Sequence, residues 1–246
     1  MEIPVSLNHI QEFETILENY HVSGHALDVL SHTKLVVLVG LTGSGRNTLI
    51  NLLAKNYDYH YLVSDTTRPP KMRDGVMEEN GVQYFFRTEE EILQDLKMGE
   101  FLEAEIIHGQ QVSGISIREL IRAGETNKVV VDEIEMGGAE NIARVKPDTI
   151  CIFVIPPSFE VWQDRFIKRE HISETEYRNR IITSQRNIRL ALSKPYYHFV
   201  LNDDLNTSAE VINSIVQTGQ DLPERQALAR KTAEEILARI DKAQGS

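Results

Sequence analysis

Cysteine is almost absent from this 246-residue chain, where Cys151 stands alone. No disulfide can form within one chain, and a metal centre built on several thiolates is excluded. Cys151 lies inside the apolar run TICIFVI, residues 149–155, where a single thiol reads as a small core residue. Long apolar runs are missing as well, since none approaches the roughly 20 residues that a membrane span needs. The opening residues lack the basic stretch and continuous apolar core of a secretory leader, so a cytoplasmic location is expected. Positive charge is also short: 26 Lys and Arg stand against 37 Asp and Glu, for a net charge of −11. With both signs scattered, an electrostatic grip on a nucleic-acid backbone is not expected. Small phosphate ligands remain open to it, because a few converging arginines suffice to bind them. There is no internal repeat and no low-complexity tract, and the length suits one ample core with additions at its ends.

What the chain does have is residues 34–50, KLVVLVGLTGSGRNTLI. The β-branched run 35–39 predicts a buried strand, and the apolar spacing over 48–54 predicts a helix. Strand, glycine loop and helix make a phosphate cradle. Gly40, Gly43 and Gly45 permit positive φ and close approach, so the N–H groups of this loop, with Thr42 and Ser44 between the glycines, can converge on an anion at the positive end of the helix dipole. The P-loop pattern G-x-x-x-x-G-K-[ST] fits Gly40 and Gly45, but it puts Arg46 where lysine is expected and Asn47 where the magnesium-binding hydroxyl is expected. Arg46 keeps the charge without the compact ammonium, Asn47 can offer an amide oxygen to the metal, and Thr48 can supply the hydroxyl.

Elsewhere apolar strands alternate with helices. Strands are predicted at 59–63, 82–86, 101–107, 129–131, 149–155 and 197–201, and helices at 88–97, 115–123, 158–168, 173–192 and 208–216. Thr88 with Glu91 reads as a capping box, and Gly99 as the stop. This order predicts a parallel sheet covered on both faces. Helical stripes at 4–20, 22–30 and 223–240 add terminal helices that dock on the body or join two copies as a homodimer. Asp132 and Glu133 end an apolar strand, the place where P-loop enzymes hold magnesium, so Asp132 joins Asn47 and Thr48 in the expected metal set.

Residues 64–86 read SDTTRPPKMRDGVMEENGVQYFF. Arg68 with Lys71 or Arg73, steered by proline-rich turns and with the Tyr84 hydroxyl nearby, forms a trap for a monophosphate, because guanidinium forks bind phosphate oxygens bidentately. Arg165 and Arg169 share a helix face, and Arg180 follows; arginines closing over a phosphoryl group stabilise its charge and exclude water. With these motifs in this order, residues 34–217 resemble guanylate kinase and its relatives. In that family's pattern S-x-T/S-T-R-x-P-R-x-G-E-x-x-G-x-x-Y-x-F, the residues Ser64, Thr67, Arg68, Pro70, Glu78, Gly81, Tyr84 and Phe86 match, with extra residues inserted at 72–75. By the same resemblance, Glu103 in FLEAEIIHG would accept from the guanine ring N–H and amino group, with Glu105 as the fallback. Ser116 would stand in for a hydroxyl that contacts the base, while the family's phosphate-binding tyrosine is replaced by Val112 or Ser113. DEIEMGGAENI puts Glu133 and Glu135 at the family's carboxylate positions and Gly137 in place of its glutamine, and the element NDDL puts Asn202 on the adenine side of ATP.

The resemblance implies an α/β P-loop NTPase fold in three layers. Its parts would be a core at 34–64 and 115–217, a mixed-β monophosphate-binding insertion at 65–114, a lid at about 166–178 and helical extensions at 1–33 and 218–246. It also implies transfer of the ATP γ-phosphoryl group to GMP, or to dGMP as well, with Mg2+ accompanying ATP. Arg46, Arg165, Arg169 and Arg180 would align and neutralise the reactants, so that positioning carries the rate. Small nucleotides, and neither nucleic acid nor membrane, are the expected partners. Two rival readings stand beside this one. A binding module that has lost catalysis would recognise a phosphorylated or acidic partner through Arg68, Lys71 and Tyr84, and Arg46 and Asn47 speak for it. A related kinase phosphorylates ribose bisphosphate, which would leave Glu103 no base to read. His171, within the lid, reads as an exposed loop residue.

Overall fold

The computed structural model describes residues 7–73, 75–107, 109–168 and 174–244. In chain order the elements begin with α1 (Ile10–Glu18), α2 (Gly24–Ser31), β1 (Leu35–Gly40), α3 (Arg46–Asn56), β2 (Tyr59–Tyr61), β3 (Asp65–Thr66), β4 (Met72–Arg73) and β5 (Val76–Met77). They continue with β6 (Phe85–Phe86), α4 (Glu89–Lys97), β7 (Phe101–Ile107), β8 (Gln111–Ser116), α5 (Ile117–Gly124), β9 (Val129–Glu133), α6 (Met136–Val145) and β10 (Ile150–Ile155). The last are α7 (Phe159–Lys168), α8 (Glu174–Ser193), β11 (Tyr197–Leu201), α9 (Leu205–Thr218) and α10 (Pro223–Gln244). This α/β chain gathers into two compact units.

One unit comprises Leu35–Tyr61, Val131–Ala143 and Asp148–Ser246. Its sheet runs β11-β10-β1-β9-β2, with β1 parallel to β10 and β10 parallel to β11. Every residue of β1 is buried, which is the continuous apolar run of a strand with no solvated face. Cys151 is buried in β10, where desolvation pushes its thiol up to about 12 and keeps it from thiolate chemistry. α10 buries Ala229, Ala233, Ile236 and Ile240. It also closes the outer side of β11, because Gln226 Oε1 accepts the Phe199 N–H at 2.6 Å as a neighbouring strand would.

The other unit comprises Met1–Lys34, Leu62–Val130 and Arg144–Pro147. Its sheet runs β6-β3-β8-β7 and is mixed: β3 is parallel to β6 and antiparallel to β8, and β8 is antiparallel to β7. β4 and β5 form a separate antiparallel hairpin. α4 starts as its sequence predicts, with the Thr88 side chain accepting the Glu91 N–H and the Glu91 carboxylate accepting the Thr88 N–H. Gly99 follows at φ 72°. α1 buries Phe13 against Ile92, Leu96, Phe101 and Val112, and the Tyr20 hydroxyl bonds both the N–H and the carbonyl of Phe101, each at 2.7 Å. Phe13 of α1 and Ala229, Ala233, Ile236 and Ile240 of α10 are thus buried within the chain.

Several elements depart from the sequence reading, and β3, β4, β5 and β8 have no counterpart in it. The strand expected at 82–86 shrinks to Phe85–Phe86, because Gly81 N–H bonds Tyr84 O and Asn80 Oδ1 accepts the Phe86 N–H, both at 2.8 Å, holding 81–83 as a turn. The helix expected from residue 115 begins at Ile117, since Ile115 and Ser116 remain paired with β7. α6 was not foreseen, because Gly137 and Gly138 obscure its apolar spacing. Among the described residues no helix is long and apolar enough to cross a membrane.

Candidate active site

The chain leaves β1 at Gly40, where a Cβ would lie 2.4 Å from the Val154 carbonyl oxygen, so only glycine fits. Gly43 and Gly45 have φ of 83° and 95°, the left-handed region that glycine enters without strain. α3 starts at Arg46 with Gly45 as its N-cap, which sets the positive end of the helix dipole at the loop. Two side chains tie down the loop: Trp162 Nε1 of α7 donates to the Thr42 carbonyl at 2.9 Å, and Asn202 Nδ2 donates to the Ser44 carbonyl at 2.7 Å. Ser44 itself is buried, and its Oγ has no hydrogen-bond partner among the described residues. Beside the loop lies a cleft of about 420 Å³ lined by Gly43, Gly45, Thr48, Asp164, Arg165, Asn202 and Leu205. Its size is in the range of small-molecule sites.

Arg46 and Asn47 face the end of β9. Arg46 Nη1 donates to the Ile134 carbonyl at 3.3 Å, and its Nε lies 3.9 Å from Glu133 Oε2. Asn47, with its amide nitrogen toward Glu133, donates to both carboxylate oxygens. The expected metal set is Asn47, Thr48 and Asp132. Asn47 acts as a donor to a carboxylate where a metal would need an acceptor, and Asp132 is buried with Oδ1 accepting the Glu133 N–H. Of that set only Thr48 reaches the cleft. Among the described residues no group of three His, Cys, Asp or Glu side chains is arranged to hold a metal. Glu133 and Glu135 also part company. Glu133 faces the loop, whereas Glu135 is exposed just before α6, its carbonyl accepting the Ala139 N–H.

In the other unit, Arg68 is 8% exposed and Glu78 5% exposed, and they form a two-pronged pair: Nη1 to Oε2 at 2.6 Å and Nη2 to Oε1 at 2.9 Å. Nη1 also donates to the Pro69 carbonyl, and the Lys71 N–H donates to Glu78 Oε2, each at 2.9 Å. The guanidinium carbon lies 4.6 Å from the Tyr84 ring centroid and 5.6 Å from that of Phe86. The hydrogen bonds that Arg68 donates to Glu78 hold its guanidinium above its ordinary pKa, against the opposing effect of burial. Arg68 and Tyr84 therefore come together as expected, while the Lys71 side chain is exposed and Ser64 is half-buried at the start of β3. Glu103 is half-buried on β7 opposite Ile115, and Ser116 is buried opposite Phe101. Val112 is core, and Ser113 Oγ donates to Thr66 Oγ1 at 2.8 Å.

A family model described as guanylate kinase matches residues 32–219. The chain belongs to the guanylate kinase family. A guanylate kinase of Corynebacterium efficiens is 34% identical over 187 residues, covering 75% of this chain and 95% of that protein. A guanylate kinase of Clostridioides difficile is 36% identical over 185 residues, covering 75% and 87%. The crystal structure of guanylate kinase from Anaplasma phagocytophilum shares the fold, with a TM-score of 0.55 and 24% identity over 78% of this chain and 89% of that one. α1 and α10 lie outside the residues that match the guanylate kinase model.

Of the guanylate kinase positions, Gly43, Gly45, Thr48, Arg165 and Asn202 meet at the cleft. Asn202, expected at adenine, spends its amide nitrogen on the loop. Arg180 is half-buried on α8. Arg169 and His171 fall outside the described residues, as do the side chain of Arg73 and the middle of the expected lid. Sequence reasoning gave no role to Glu78, Trp162 or Asp164. The signals available were Glu78's match to the family pattern and the fact that Trp162 is the only tryptophan.

Proposed function

We propose that the chain is an ATP-dependent guanylate kinase, moving the γ-phosphoryl group of ATP to GMP to give ADP and GDP. The observation that carries this reading is the cleft in which Arg165 stands beside Gly43 and Gly45 of the phosphate loop. An arginine placed where a triphosphate's outer charge would lie is what phosphoryl transfer requires, since the work is positioning and charge stabilisation. The Arg68, Glu78 and Tyr84 cluster would take the acceptor phosphate, and Glu103 the guanine edge. The catalytic part spans 34–217, with Arg46, Arg165, Arg169 and Arg180 acting on the transferred group. Magnesium would enter as the counter-ion of ATP, neutralising its phosphates, with Thr48 offering a hydroxyl at the cleft. Soluble nucleotides suit a cytoplasmic enzyme.

A second reading, a phosphate-recognising module without turnover, is favoured by one observation: Arg46 and Asn47 are engaged with Glu133 and Ile134. ADP production from ATP and magnesium, with GMP, dGMP, AMP, CMP, UMP and ribose bisphosphate offered separately, decides between them. The expected outcome is turnover with GMP that is lost in Arg165→Ala. Silence with every acceptor, in a protein that still binds GMP, would establish the module.

A further inference from the structure

The two side chains that tie down the phosphate loop, Trp162 on α7 and Asn202 just after β11, converge on alternate peptides of one turn. We propose that Trp162 and Asn202 are positioning residues that fix the peptide planes presenting the Gly43 and Gly45 N–H groups to the donor phosphates; the proposal rests on the kinase reading above.

The argument is one of peptide geometry. In a planar trans peptide the carbonyl and the N–H point in opposite directions, and none of the described peptides is cis. The Thr42 carbonyl shares its peptide with the Gly43 N–H, and the Ser44 carbonyl shares its peptide with the Gly45 N–H. Trp162 Nε1 holds the first carbonyl at 2.9 Å, and Asn202 Nδ2 holds the second at 2.7 Å. Each N–H is thereby turned away from the side chain that grips its peptide. Neither N–H takes part in a hydrogen bond within the described residues, and both glycines line the cleft. Ser44 N–H, between them, is used by the Leu41 carbonyl at 3.0 Å. Two unspent N–H groups flanking a spent one, on glycines of left-handed φ, make an anion-binding concavity.

The fit is close enough for the side chains to dictate these planes. Trp162 is wholly buried and Asn202 is 2% exposed, so neither donor exchanges its partner for water. A Cβ on Gly45 would lie 2.3 Å from Asn202 Nδ2, so the amide stands directly against the loop. Trp162 also precedes Arg165 by three residues on α7. The same bond therefore sets the register of that arginine against the loop it serves.

Steady-state kinetics of Trp162→Phe and Asn202→Leu test the proposal, since both keep bulk and remove the donor. Each is expected to raise KM for ATP about tenfold, the loss expected of one buried hydrogen bond, while KM for GMP stays within about twofold. A lower melting temperature with KM for ATP unchanged would reduce the pair to structural anchors and overturn the proposal. Should either variant fail to fold, amide hydrogen exchange on the wild-type protein decides. Gly43 and Gly45 are expected to slow when ATP is added and not when GMP is; unchanged exchange with ATP bound overturns the proposal. A wild-type protein that neither binds nor turns over ATP would instead sink the kinase reading itself.

Discussion

Arg68 is already paired in the structure. Its fork is met end-on by Glu78, and its plane is backed by Tyr84. Both charges are desolvated, so removing one strands the other, at a typical cost of about 3–5 kcal/mol. Glu78→Gln is therefore expected to raise KM for GMP by about tenfold, the loss of one charge-assisted bond, with KM for ATP unaffected. Equal KM values for GMP in variant and wild type would show that Glu78 only stiffens the loop. Arg68 and Tyr84 were legible in the sequence because guanidinium and phenol are chemically apt for phosphate. Glu78 was not, because the β4–β5 hairpin folds between the partners, and a spacing of ten residues says nothing until that turn is known. Asn47 shows a different limit: an amide offers a donor and an acceptor, and only the nearby Glu133 decides which is used.

The readable elements were those with either a full apolar run or a strong terminus. β1, β7, β10 and β11 announce themselves by apolar residues, and α4 by its cap. The two-residue strands β3, β4 and β5 could not be read, because their pairing is set by contacts distant in sequence, such as Ser113 with Thr66, or by a turn, as between Arg73 and Val76. α4 offers a direct measure of what a legible signal contributes. Thr88→Ala removes the acceptor for the Glu91 N–H and is expected to cost about 1 kcal/mol in urea unfolding. A change within about 0.3 kcal/mol would mean that packing by Ile92, Leu93 and Leu96 alone sustains the helix.

Each unit of the molecule is assembled from segments far apart in the chain, and each terminal region is built into one of them. α10 matters here because it lies beyond the residues that match the family model and still supplies buried side chains and the Gln226 bond to β11. A chain ending at residue 222 would bare the Phe199 N–H on an edge strand. Its scattered-light intensity is expected to rise with protein concentration, and a truncated protein that stays monodisperse would show that β11 needs no cover. The strand order β11-β10-β1-β9-β2 has one more consequence. β1, buried along its whole length and the strand that carries the phosphate loop, is translated before either flanking partner, and β10 follows it only after more than 100 further residues. During synthesis LVVLVG must therefore wait, unpaired, while the ribosome makes its neighbours, which makes this segment the natural client for a chaperone on the nascent chain.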